Sequence, residues 1–409
     1  MSIAPEVSTE ELLERARTLR PLFAEQVEET ERLTHISEEL HAKVEEAGFY
    51  QLLAPKRYGG LEVDLPTYVR IWTEIARGDM SGAWNAALAA NHALQLASWF
   101  PEHTQEEIFG TPGGLKAASV AAPLSGFARK VDGGWELNGK VAYCSGIPYS
   151  NHYMGQALTE PAEPGGPPGP PILFFAPRSA FEILDDWGHL TGLVGSGSNS
   201  IVFDRAVVPD HYVLTGTHMG DVDPHEGTIG YRLHGNPLYN SRGLGFFTMS
   251  VGSIMVGGAY GALDEFEHIL KSRDLPRPPF GPRAGDPDHQ RWYGAALTKI
   301  ATAEGALLYS AELQMQYCRQ LAEHHRPYTW GDDLLVGNIA RDAYSQSWQA
   351  MQEWIFRYSG STAATKGAKI ERTLRDMATG WSHFNTAQTD WFYGELGRWH
   401  LGQQRTFLF

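Results

Sequence analysis

The chain is poor in cysteine: only Cys144 and Cys318 occur in 409 residues. Two thiols so far apart make no disulfide framework and fit a reducing, cytoplasmic setting. Positive charge is also short. With 33 Lys and Arg against 48 Asp and Glu, the formal net charge is −15, which argues against a nucleic-acid partner, because neutralising phosphates takes a basic surface. No uninterrupted apolar run of about 18 residues is present, so no membrane span is expected. The first residues, MSIAPEVSTEELLERAR, lack the charged-then-apolar pattern of a secretory signal. Internal repeats are lacking, and so is a three-glycine turn inside a βαβ unit. The chain therefore has no recognisable nicotinamide site.

What is present is an ordinary globular composition, 42% hydrophobic and 20% charged. A chain of this length can bury a large core and divide into two or three domains. Residues 1–115 read as an N-terminal helical domain. Ser8 and Glu11 are spaced for a capping box, and Leu12, Leu13, Ala16, Leu19, Leu22 and Phe23 follow at helical spacing. A second helix is expected from about Ser37 to Ala47, stopped by Gly48, and a long apolar stretch runs from Tyr68 to Trp99. From about residue 116 to 215 short alternating runs take over: FARKV, then GGWELNGKVAYCSG with Trp135, Leu137, Val141 and Tyr143 at strand spacing, then Tyr153–Leu158, Ile172–Ala176 and SNSIVFDRAVVP. The Pro/Gly stretch TEPAEPGGPPGPP can only be a loop. Residues 216–409 read as a C-terminal helical bundle, with long helices expected over 286–323 and 331–359. The bundle is preceded by an irregular loop, 216–243, of the length that is usually functional or mobile.

Four segments, in this order and spacing, resemble a known superfamily: GFYQLLAPKRYGGLEVD, DGGWELNGKVAYCSG, WGHLTGLVGSGSNSIVFDRAVVP and IERTLRDMATGWSHFN. Together they resemble the acyl-CoA dehydrogenases. Within that superfamily the chain is similar to the oxygenase components of two-component flavin-dependent monooxygenases, such as those acting on p-hydroxyphenylacetate, steroid phenols and dibenzothiophene. The fold implied is α+β and acyl-CoA dehydrogenase-like: an N-terminal helical domain, a middle β-barrel-like domain and a C-terminal four-helix bundle. The resemblance also implies reduced FMN or FAD as cofactor, O2 as co-substrate, a separate NAD(P)H-dependent flavin reductase, a C4a-hydroperoxyflavin, hydroxylation of an aromatic or polycyclic, phenolic substrate, and a homotetramer. Three rival readings stand beside it: an acyl-CoA dehydrogenase-type flavoprotein, an N- or S-oxygenating member of the same branch, and a non-catalytic scaffold. Where dehydrogenases often carry a catalytic Glu, this chain has Ser382, His383 and Phe384, and Glu395 lies too far past the motif to replace it.

By the same resemblance Ser145 and Gly146 would lie at the reactive edge of the flavin. Gly195, Ser196, Gly197 and Ser198 would approach the ring or its phosphate, with Trp187 packing on the ring. Arg273, Gly360 and Ser361 would meet the flavin phosphate across a subunit interface, and one of Arg273 and Arg283 reads as a solvated loop residue. Each has a plainer reading as a turn, a helix cap or a core aromatic. His383 is the foremost catalytic candidate, since an imidazole of ordinary pKa can take a phenol proton near neutral pH or equally donate to a peroxide oxygen. Some similar enzymes follow this His with an Asp; here that place is Ala387, with Asn385 and Asp390 nearby. His92 is a second candidate, catalytic or substrate-binding, and Asn385 and Tyr239 are further substrate-binding candidates. No metal site is expected: Glu323, His324 and His325 read as a solvated helix end.

Overall fold

The computed structural model describes residues 7–406. Its first helix, Thr9–Glu25, buries Leu12, Ala16, Leu19 and Phe23, the stripe that the periodicity predicts. Ser8 Oγ accepts the Glu11 amide at 3.2 Å. Glu11 turns its carboxylate to Arg15 at 2.6 Å instead of back to the cap, so the expected capping box is a single cap. The second predicted helix is Glu38–Glu46, ended at Gly48 with φ 80°. The long apolar stretch becomes three helices, Leu65–Gly78, Met80–Ala90 and Ala93–Trp99. The first break falls at Asp79, whose carboxylate caps the middle helix by accepting the amides of Ser81 and Gly82. All of Met80–Ala90 is buried, which is why it shows no helical polar face.

The eight strands among the described residues are β1 (Ala117–Ser119), β2 (Phe127–Val131), β3 (Gly134–Val141), β4 (His152–Thr159), β5 (Pro171–Pro177), β6 (Glu182–Ile183), β7 (Ile201–Pro209) and β8 (Val213–Thr215). They form one sheet in the order β6-β7-β3-β2-β4-β5-β8, with β1 added parallel to β4. β1 and β8, three residues each, were too short to signal themselves. Tyr143 departs from its expected strand place. β3 ends at Val141, and Tyr143 has φ 66° and is exposed.

The bundle centres on the helix Leu244–Ser272, which packs against Leu65–Gly78, Pro287–His324, Trp330–Gln349 and Lys369–Trp381. Its Gly/Ala-rich face lets helices approach closely: a Cβ on Gly257 would lie 2.3 Å from the Thr73 carbonyl, and one on Gly261 2.5 Å from that of Arg77. By length and composition this helix could cross a membrane, but 89% of its most apolar window is buried inside the protein, as suits a central core helix. The segment 216–243 is less irregular than it reads. It holds a helix, Ile229–His234, and a 3-10 turn, Pro237–Asn240. Its start is pinned to β4, because the Gln156 side chain accepts the Met219 amide at 2.8 Å. The expected helix 331–359 is α-helical over Trp330–Gln349 and then π-helical over Ala350–Phe356.

Candidate active site

Beyond β3 the chain turns at Gly146, whose φ is 81°. A Cβ there would sit 2.6 Å from the Asn85 carbonyl, so only glycine fits this turn against the Met80–Ala90 helix. The Gly146 amide donates to the carbonyls of Ser196 and Gly197, both at 3.1 Å. This knits the turn to the Gly195–Ser198 loop. The result is a buried hydroxyl chain: Ser145 Oγ lies 2.7 Å from Ser198 Oγ, which lies 2.7 Å from Ser196 Oγ. The Trp84 indole donates into it, Nε1 to Ser145 Oγ at 3.1 Å. Beside Gly197, both polar atoms of the Asn85 side chain are buried without a hydrogen-bond partner. On the outer side of the same loop a groove of about 340 Å³ is lined by Tyr143, Trp187 and Ser198 among others. Trp187 is fixed there by donating to the Val194 carbonyl at 2.9 Å.

His383 also meets Trp84, the two rings edge to face at 5.4 Å. The residue is half-buried, and the desolvation of its ring pushes its pKa down to about 4. The imidazole is therefore neutral at neutral pH, which corrects the expectation of an ordinary pKa. His383 also starts the short helix Phe384–Ala387, its Nδ1 accepting the Asn385 amide at 3.3 Å. That bond places the ring proton on Nε2.

Phe247 stands 6.3 Å from the His383 ring and lines a cavity of about 330 Å³. Leu158, Leu244, Trp330, Phe384 and Trp391 give it mostly apolar walls, and its volume lies within the range of small-molecule sites. Asn385 is its best-placed polar group. Its Oδ1 accepts Thr248 Oγ1 at 3.4 Å, and its Nδ2 is buried with no partner. Arg341, itself fully buried, holds Asn385 by donating from Nε to its carbonyl at 2.9 Å. Asp221 is the single carboxylate among the described lining residues, and it is paired with Arg405.

Other candidates stand apart. His92 is buried and donates from Nδ1 to the Ala117 carbonyl at 2.7 Å, leaving Nε2 without a partner. Burial lowers its pKa to about 4 against the pull of the Ala117 and Leu88 carbonyls. Neither His92 nor His383 is among the cavity-lining residues, but His383 adjoins two of them, Phe384 and Asn385. Tyr239 does not line the cavity either: it is wholly buried, its hydroxyl donating to the Leu53 carbonyl at 3.3 Å, which corrects its expected substrate role. Arg273 donates to Thr362, next to Gly360 and Ser361, and Arg283 reaches the Ser359 carbonyl at 3.4 Å. Among the described residues no hydrogen bond or ring contact joins this cluster to the serine loop of the same chain. Glu395 accepts the Thr406 amide at 2.9 Å. A surface trio, His103, Glu107 and His211, offers three possible metal-ligand atoms within 4.8 Å of one another. Sequence reading missed Trp84, Asn85, Phe247 and Arg341. Trp84 and Asn85 lie in an unbroken apolar helix, where nothing distinguishes a site residue from a core one.

Residues 9–107 match the acyl-CoA dehydrogenase N-terminal domain, and residues 249–388 the acyl-CoA dehydrogenase C-terminal domain. A pigment production hydroxylase of Rhodococcus sp. is 31% identical over 383 residues, 91% of this chain and 92% of that protein. The chain belongs to the acyl-CoA dehydrogenase family. The oxygenase subunit HsaA of Rhodococcus jostii, a flavin-dependent monooxygenase, is 28% identical over 377 residues, 91% of this chain and 93% of that one. The crystal structure of a 3-HSA hydroxylase from Rhodococcus sp. superposes with a TM-score of 0.85 at 25% identity, covering 97% of this chain and 98% of that one. Within the family the chain is thus a flavin-dependent monooxygenase, an oxygenase component of the two-component kind.

Proposed function

We propose that this oxygenase component hydroxylates an aromatic or polycyclic, phenolic substrate with O2 and reduced FMN or FAD, delivered by a separate NAD(P)H-dependent flavin reductase. The observation that carries the reading is that the serine chain and His383 both meet Trp84, while Phe247 links His383 to an apolar cavity. The residues fit a flavin. Its polar edge calls for short hydroxyl and amide partners, which Ser145, Ser196, Ser198 and the unpartnered Asn85 offer. Its faces call for aromatic and backbone surfaces, which Gly146, Gly195, Gly197, Trp84 and Trp187 offer. When bound, reduced flavin supplies the two electrons that let O2 divide between the hydroxylated product and water.

The chain's own residues would do the rest. The apolar walls would exclude water and orient the ring. Asn385 Nδ2–H would donate to a substrate oxygen, and the neutral His383 would do so from Nε2. His92, whose Nε2 is free to accept, would take a proton if the substrate reaches it. The absence of an unpaired carboxylate among the described cavity residues weighs against acyl-CoA dehydrogenation, which needs such a base. Arg273, Gly360 and Ser361 would complete the flavin site of a neighbouring subunit in a homotetramer. Both cysteines are free and buried, consistent with work in the cytoplasm.

The test is reconstitution. The protein with NADH and a phenol should give no product, and adding a flavin reductase with FMN or FAD should give hydroxylated product. Turnover with NADH alone, or reduction of bound flavin by an acyl-CoA, would overturn the reading.

A further inference from the structure

The serine loop is held from behind by a buried acid. Asp376, on the helix Lys369–Trp381, accepts the Leu193 amide at 2.6 Å. Leu193 has φ 54° and leads directly into Gly195–Ser198. The neighbouring Arg375 donates to the Thr191 carbonyl at 2.8 Å and to Glu31 at 3.0 Å. A second buried acid, Asp79, caps the helix that carries Trp84 and Asn85. The same Lys369–Trp381 helix runs on to His383 within two residues of its end. The loop and the Trp84 helix are therefore anchored at the neighbouring acids Asp376 and Asp79, and the helix that bears Asp376 leads to His383.

We propose that Asp376 is a positioning residue whose buried carboxyl, by accepting the Leu193 amide, clamps the Leu193–Ser198 loop to the helix that leads to His383. The role in flavin binding rests on the reading given above; the clamp itself does not. Burial and the nearby Asp79 charge raise the Asp376 pKa to about 8, with Glu31 pushing the same way and Arg375 and the Leu193 amide opposing. Asp79 is itself raised to about 6 by burial, with Arg372 opposing and Glu31 assisting. Glu371, on the same helix, is engaged by Arg375 at 2.7 Å. The sign follows from these directions. When the loop opens, Asp376 meets water and returns to the ordinary carboxylate range. Closing thus takes up a proton, and the clamp weakens as pH rises, by up to about tenfold per unit, until it levels off near pH 8.

The experiment is hydrogen exchange of the peptide containing Leu193 in the flavin-free full chain from pH 6 to 9, corrected for intrinsic exchange. In parallel, reduced FMN and FAD are titrated anaerobically over the same range. The native chain should lose protection at Leu193 up to pH 8 and then level off, with reduced-flavin affinity declining in step. Asp376→Asn keeps a carbonyl for the Leu193 amide but cannot ionise, so its protection should be flat with pH. Asp79→Asn keeps the helix cap and removes the neighbouring charge, so it should move the levelling-off below pH 8. Asp376→Ala should lose protection at every pH. Native protection that does not vary with pH, or an Asp376→Asn profile that tracks the native one, would overturn the clamp. If the exchange behaves as expected but neither reduced flavin binds, the clamp stands and the flavin reading falls.

Discussion

His92 and His383 both begin a short helix, and burial holds both near a pKa of 4. They nonetheless present opposite faces to any ligand. His383 caps its helix, so its Nδ1 is used as an acceptor and its Nε2 carries the proton. His92 leaves its helix uncapped and spends Nδ1–H on the Ala117 carbonyl, so its Nε2 is a bare acceptor. The lesson is that pKa alone assigns neither role. The backbone group bonded to Nδ1 decides whether a neutral imidazole can give or take a proton. His383 is left with an N–H to donate, and His92, apart from the cavity, with a bare ring nitrogen.

The sharpest way to break the comparison is to remove the acceptor. If His92 takes the substrate proton, His92→Ala should lower the rate of hydroxylation by about 10²–10⁴-fold, the usual share of a general base. Single-turnover product formation checks this. A rate within a few-fold of native would remove His92 from the chemistry and leave it as a core histidine bonded to Ala117. His383→Ala should cost less, about 10–100-fold in product per O2 consumed, because one hydrogen bond to a developing charge is worth roughly 1.5–3 kcal/mol. His383→Asn retains a side-chain cap for the Asn385 amide. Equal losses in the two variants would show that the donor, and not the helix start, matters.

How far the sequence foretold this site follows from the range of the contacts. Ser145, Ser196, Ser198 and Trp187 lie in two segments whose glycines and hydroxyls are visible in order, and the fold brings all four to one loop. Asn385 could be named from the sequence because it adjoins the His383 motif. Trp84 was invisible, since its helix is buried on every side and carries no polar stripe. Asp376 stood in plain view in the LRDMATG run, but its partner Leu193 is 183 positions away. Tyr239 was misplaced because the segment 216–243 reads as one loop, whereas the 3-10 turn Pro237–Asn240 carries it into the core.

Ser145→Ala offers a milder test. The hydroxyl both joins the serine chain and receives the Trp84 indole proton, so its loss leaves a buried N–H unpaired. One such bond is worth about 0.5–1.5 kcal/mol. The expected outcome is a several-fold rise in H2O2 released per turnover, read by a peroxide-coupled assay, with the fold unchanged by circular dichroism. Release at the native level would place Ser145 outside the reacting centre.

The smallest expected effect is an absence. A histidine of ordinary pKa in either role would put a limb near pH 6.5 in the rate at saturating flavin. Both rings are instead held neutral by burial down to about pH 4. The single-turnover rate should therefore change less than about twofold between pH 6 and 8. The same lowered values destabilise the fold in acid. The unfolded chain gains protons on both rings as pH falls below about 6.5, while the folded chain resists until about 4, so this contribution to stability is lost across that window. In His92→Gln, which cannot take up a proton, the midpoint of acid unfolding should move to lower pH. A rate limb near pH 6.5 that vanished in His383→Asn would show His383 titrating normally, and with it the contrast between donor and acceptor would fail.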